Sequence, residues 1–233
     1  YVEVEYLIAL GREKKIHELP ALSDRQKSRL RSSYQKFDLN SAQIVKNIEA
    51  ETNHDVKAIE YYIQKHCGAK LHPWIHFALT SEDINNISYT LMWCHAMKQV
   101  YVPMLTKLQR DLKAMAKRYR SVPMLSMTHG QPATPTTFGK ELGVLFKRID
   151  RQMVQIKKQS FLGKLSGATG TWSAHTSAYP KMDWVKFTSK FVRSLGLQPN
   201  TVTTQIEPHD SMAESFHQVL RINSILKDLC QDL

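Results

Sequence analysis

From Ser81 onward, apolar or aromatic side chains recur at Ile84, Ile87, Leu91, Cys94, Tyr101, Leu105, Leu108, Leu112, Met115 and Tyr119. The steps alternate between three and four, and only Lys98 interrupts the stripe. Such spacing places the apolar groups on one face of a long helix, which stays in water only by packing that face in a bundle. Pro103 lacks an N–H and collides with the preceding turn, so it should kink this helix or divide it in two. A second helix is predicted through Phe138, Leu142, Leu145, Ile149, Met153 and Ile156, ending near the glycine-rich Leu162 to Gly170. A third runs through Trp184, Phe187, Phe191 and Leu195, with Gly196 as its stop. A fourth holds Met212, Phe216, Val219, Leu226 and Leu229. The first 68 residues read as shorter helices, with Val4, Leu7 and Ile8 on one face. Convincing alternating strands and internal repeats are absent. The expected fold is all-α, a long central helical bundle. HCGAKLHP, His66 to Pro73, marks a boundary between an N-terminal helical domain (1–68) and the start of the bundle domain (69–233).

Charged residues make up 23% and apolar residues 42%, as in ordinary soluble proteins. No run approaches the ~20 apolar residues that cross a bilayer, and no basic-then-apolar leader is present. Three widely spaced cysteines, Cys67, Cys94 and Cys230, form no disulfide framework or zinc ribbon pattern, so a cytoplasmic setting fits. The chain opens with Tyr1 and stops inside a helical pattern, and both ends read as cuts in a longer protein. A net charge of +11 suits a basic solvated surface, nucleic acid or a small polyanion. The basic residues are scattered rather than interleaved with aromatics, which favours the small anion.

A bundle buries its stripes, so chemistry is expected on the polar connections. In ETNHDVKAIEYY, Asn53, His54 and Asp55 place an amide, an imidazole and a carboxylate side by side; they either cap a helix or bind a ligand. In FALTSEDINN, Thr80 and Ser81 stand where the long helix begins. Either Ser81 merely caps it, with Glu82 and Asp83 complementing the dipole, or the two hydroxyls and free N–H groups form a socket for a carboxylate. In SMTHGQPATPTTFGKE, Gly130, Pro132 and Pro135 force an ordered non-helical loop with His129 at its apex between Thr128 and Gly130, either hydrogen-bonded within a rigid loop or presented for chemistry. In TTQIEPHDSMAE, Gln205 is a solvated loop residue or a reader of an amide or carboxylate, and Pro208 sits at or near the first helical position. His72 and His76 have ligand spacing, but Pro73 interrupts them and no third ligand completes a metal site. No phosphate loop, dinucleotide fingerprint or nucleophile elbow is present, and no cofactor is expected.

Taken in order, TNHDVKAIEYY, IHFALTSEDINN, THGQPATPTTFGKE, GKLSGATGTWSAH and TTQIEPHD resemble the adenylosuccinate lyases of the fumarase/aspartase superfamily, over nearly the whole chain. The resemblance implies an all-α homotetramer whose active sites are each built from three subunits. It implies β-elimination of fumarate from adenylosuccinate to give AMP, and from the succinylcarboxamide intermediate of purine biosynthesis. By motif, His129 matches the general acid for the departing purine nitrogen. Asn53, His54 and Asp55 match the nucleotide-contacting segment, with His54 near the phosphate or the catalytic centre. Thr80 and Ser81 match the hydroxyls that grip the succinyl carboxylates, Thr128 assists, and Gln205 matches a substrate-contacting glutamine. Lys57 lies in the first motif. The family's basic serine, on a mobile loop ahead of a Met-Pro-x-Lys signature, has no match, nor do its N-terminal phosphate-holding arginine and tyrosine.

Overall fold

The computed structural model describes residues 1–232. It is helical throughout, apart from one hairpin and one short pair of strands. Two compact units emerge, one of residues 1–91 and 162–208, the other of residues 92–161 and 209–233.

The first unit opens with α1 (Val2–Leu10), which is buried on every side, with Glu3, Tyr6 and Leu10 as enclosed as Val4, Leu7 and Ile8. The single apolar face expected there is thus a fully buried helix. Next come α2 (Asp24–Gln35), begun by a Ser23/Gln26 capping box, and α3 (Leu39–Thr52). The latter packs on α4 (Asp55–Gln64) around Val45, Ala58 and Tyr62. A 3₁₀ turn (Ala69–Trp74) leads to an irregular segment in which His76 and Ala78 adopt left-handed backbone. Outside glycine this conformation is uncommon and persists only where the surroundings hold it. Here α1 supplies the hold: the Tyr6 hydroxyl donates to the Phe77 carbonyl, and Glu3 pairs with the His76 ring. The segment delivers the chain to α5 (Ser81–Ala96). After residue 161 the unit resumes with β3 (Leu162–Gly163), α8 (Ser173–Ala178), α9 (Trp184–Ser194) and β4 (Gln198–Pro199), the two strands pairing in parallel.

The second unit takes up the chain within α5. A π turn (Met97–Tyr101) separates α5 from α6 (Val102–Arg118). The break predicted at Pro103 therefore falls just ahead of it. Without a proline N–H the Gln99 carbonyl loses its helical partner, and a wider turn absorbs the steric conflict. Met97 takes the buried place, and Lys98 is exposed. Between α6 and α7 (Phe138–Lys157) stands a hairpin, β1 (Pro123–Thr128) and β2 (Gln131–Thr137), where the sequence predicts only an ordered loop. Its residues are largely exposed on both faces, so no apolar alternation was needed to form it. α10 (Asp210–Asp232) packs on α7, and Arg148 bonds Asp228 at 2.6 Å. It begins two residues beyond Pro208, and His209, with a left-handed backbone, precedes its first turn. Pro208 is therefore outside the helix.

Candidate active site

Four segments of the first unit converge on the start of α5. The left-handed Asn53 ends α3, and His54 then caps α4, its Nδ1 accepting the Lys57 N–H at 3.1 Å. That bond requires a bare Nδ1, so the proton of the neutral ring lies on Nε2. Nε2 stands 3.3 Å from the Ser81 hydroxyl, towards which it is thereby a donor. The capping that the sequence left open is done by Nδ1, while the opposite nitrogen faces the Ser81 hydroxyl. Beside it, Asp55 accepts from the Asn85 amide at 3.4 Å, tying α4 to the exposed edge of α5. Asn53, His54 and Asp55 also line a shallow cavity of about 360 Å³ with Lys46 and Glu49.

At α5 the cap is displaced by one residue from the expected Ser81. Thr80 precedes the first turn, and Asp83 reaches back to accept its N–H at 2.9 Å. The Thr80 hydroxyl receives the Gln205 amide at 3.4 Å. Glu82, expected only to complement the dipole, accepts the Glu207 N–H at 3.3 Å and so helps seat the Gln205 segment. Hydroxyls of Thr80 and Ser81, the His54 Nε2–H and the Gln205 amide are thus gathered at a helix start, where unpaired backbone donors favour an anion.

Beneath lies a buried polar layer that the sequence reading missed. Asp83, expected to complement the helix dipole, is 0% exposed, as is Lys164, and the two pair at 2.7 Å. Asn86 exchanges two hydrogen bonds with the Lys164 backbone. The one available signal was a lysine flanked by apolar residues inside the glycine-rich stretch. Deeper still, His175 rests on Trp184 and meets the Tyr6 hydroxyl at 3.1 Å. Burial pushes its imidazole down to about 4, with Asp83 opposing and Lys164 adding. At His76 burial also acts downward, but the Glu3 carboxylate outweighs it and the net displacement is upward.

Thr128 and His129 belong to the second unit. They are exposed at the hairpin turn, where His129 (φ 53°) and Gly130 (φ 72°) form a two-residue loop closed by the Thr128–Gln131 pair. Positive φ at both positions matches the twist of the flanking strands, and histidine is among the residues that tolerate it. Of the histidines with ligand spacing, His72 contacts the Gln64 carbonyl and His76 contacts Glu3.

The fold is that of a fumarate lyase from Mesorhizobium sp. BNC1, with a TM-score of 0.80 over 99% of this chain and 53% of that one, at 20% identity. The chain is 44% identical to an adenylosuccinate lyase of Haemophilus influenzae, 45% to that of Escherichia coli K12 and 43% to that of Legionella pneumophila. Each match covers the whole chain but 52% of the relative, so the chain spans about half the length of these curated relatives. No helix among the described residues is long and apolar enough to cross a membrane. The family model described as Lyase matches residues 8–233, and the chain belongs to that family.

Proposed function

We propose that this chain is the part of an adenylosuccinate lyase that donates the proton and grips the substrate carboxylates. The whole protein releases fumarate from adenylosuccinate to leave AMP, and acts likewise on the succinylcarboxamide precursor. The observation that carries this reading is the convergence of His54, Thr80, Ser81 and Gln205 on one helix start. β-Elimination removes a proton from the succinyl Cβ and then breaks the C–N bond. The carbon acid is weak, so the neighbouring carboxylate must be stabilised as charge accumulates on it. Fixed hydroxyl and N–H donors do this at no reorganisation cost. The departing purine nitrogen takes its proton from His129 acting as general acid. The turn holding it is exposed, as a group that must meet substrate has to be. The basic balance of the chain favours a substrate with one phosphate and two carboxylates.

The protein works as a cytoplasmic homotetramer whose sites draw on three copies. Within it, residues 1–68 complete an N-terminal helical domain and residues 69–233 open the central bundle. The 233 residues alone release no fumarate. Ultraviolet absorbance on mixing the full-length protein with adenylosuccinate tests the reading. Substrate loss is expected, and His129→Ala should lower kcat by about 10²–10⁴-fold with little loss of stability. An unmutated protein inert towards adenylosuccinate would overturn the assignment.

A further inference from the structure

We propose that the buried Asp83–Lys164 pair is a positioning device that fixes the carboxylate-binding groups of Thr80, Ser81 and Gln205 while balancing charge beneath them. Resting on the lyase reading, it assigns to two residues outside the contact set the geometry on which that set depends.

The Asp83 carboxylate is saturated by donors from two stretches of chain. It accepts the Thr80 N–H at 2.9 Å, the Ser166 N–H at 3.0 Å and the Gly167 N–H at 3.1 Å, besides the Lys164 ammonium. Lys164 in turn donates to the Gly167 carbonyl at 2.6 Å. The start of α5 and the glycine-rich loop are therefore clamped through one carboxylate. That loop carries the Gln205 segment. The Ser166 and Thr203 hydroxyls are 3.4 Å apart, and a Cβ on Gly170 would lie 2.7 Å from the Thr204 carbonyl oxygen. Thr80 on one side and Gln205 on the other thus refer their positions to Asp83.

A buried ion pair is a poor source of net stability, and well-packed apolar residues often do as well or better. An apolar pair here, however, would leave three backbone N–H groups without their acceptor, each a costly loss. The carboxylate is needed for geometry. Its charge alone would repel a dianion held at the same helix start, and Lys164 cancels it.

The test uses the full-length protein with Asp83→Asn, Lys164→Met and the double variant, assayed well below their melting temperatures. Each single variant should lower kcat/KM for adenylosuccinate by about 10²-fold, the scale set by small misplacements of binding groups. Lys164→Met, which uncovers the Asp83 charge, should also weaken inhibition by fumarate. The double variant leaves no lone buried charge, so its melting temperature should recover while kcat/KM stays low. Recovery of both would make the pair purely structural and overturn the proposal. Should no variant fold, amide hydrogen exchange on the unmutated, ligand-free protein decides. Protection of Thr80, Ser166 and Gly167 equal to that of core amides supports the device, and fast exchange sinks it. An unmutated protein without lyase activity would defeat the functional reading instead, and the exchange measurement would still judge the clamp.

Discussion

His54 shows how one side chain can carry two tasks that substitution separates. Asparagine also caps helices well but cannot extend to Ser81, whereas alanine does neither. His54→Ala should therefore lose about 1 kcal/mol in urea unfolding, whereas His54→Asn, which keeps a capping acceptor, should lose little or none. In the full-length enzyme both should lose kcat/KM alike. An asparagine variant with unmutated kinetics would confine His54 to capping. His175 gives a pH dependence of definite sign. Its folded value, about 4, lies below the ordinary 6.5, so from pH 6.5 down to 4 the unfolded chain holds the extra proton. Its contribution is complete above pH 6.5 and is lost as pH falls towards 4, amounting to about 3 kcal/mol at 1.4 kcal/mol per unit. His76 works in the opposite sense, adding stability below pH 6.5 that fades as pH rises through its raised folded value. Urea titrations at several pH values between 4 and 7 should show a shallower decline for His175→Phe than for the unmutated chain. Equal slopes would refute the buried neutral imidazole.

At the scale of elements, α7 contains two glycines with opposite demands. A Cβ at Gly139 would meet the Arg120 N at 2.6 Å and press on the Ala116 carbonyl, whereas one at Gly143 meets nothing within 4 Å. Gly143→Ala should stabilise the chain by up to about 1 kcal/mol through helix propensity alone. Gly139→Ala should destabilise it by about 1–3 kcal/mol, as overpacking does. Thermal melts of both variants check the contrast, and matching shifts would mean that the approach of α6 to α7 is looser than described. Helices with a buried stripe were legible because such a stripe must be apolar at a fixed period: α5 with α6, α7 and α9 follow their spacings, whereas α10 buries Ile222, Ile225 and Leu229 and leaves the predicted Phe216 exposed. The hairpin was not, since it buries neither face and carries prolines at Pro132 and Pro135. The grouping at the candidate site was legible where hydroxyls and amides cluster in loops, as at Thr80, Ser81 and Gln205. The burial of Asp83 was not legible, because it depends on Lys164, whose proximity only tertiary packing creates.

Taken whole, the chain holds its proposed chemistry in two unequal lots: carboxylate grip in the first unit and His129 in the second. The second unit also leaves Met104 68%, Leu220 63% and Met127 58% exposed, together with Phe216 and Val154. Closed symmetric assembly repeats every surface, so a site shared between copies can be filled from different parents. Full-length His129→Ala and full-length Ser81→Ala should each be nearly inactive with adenylosuccinate. If, as proposed, a site draws on several copies, the two unfolded together and refolded as a mixture should regain part of the unmutated rate, from sites that take His129 from one parent and Ser81 from the other. Each variant refolded alone should stay inactive, which excludes recovery by refolding itself. A mixture no more active than its parents, although sedimentation shows mixed oligomers, would mean that His129 and Ser81 serve a site within one copy.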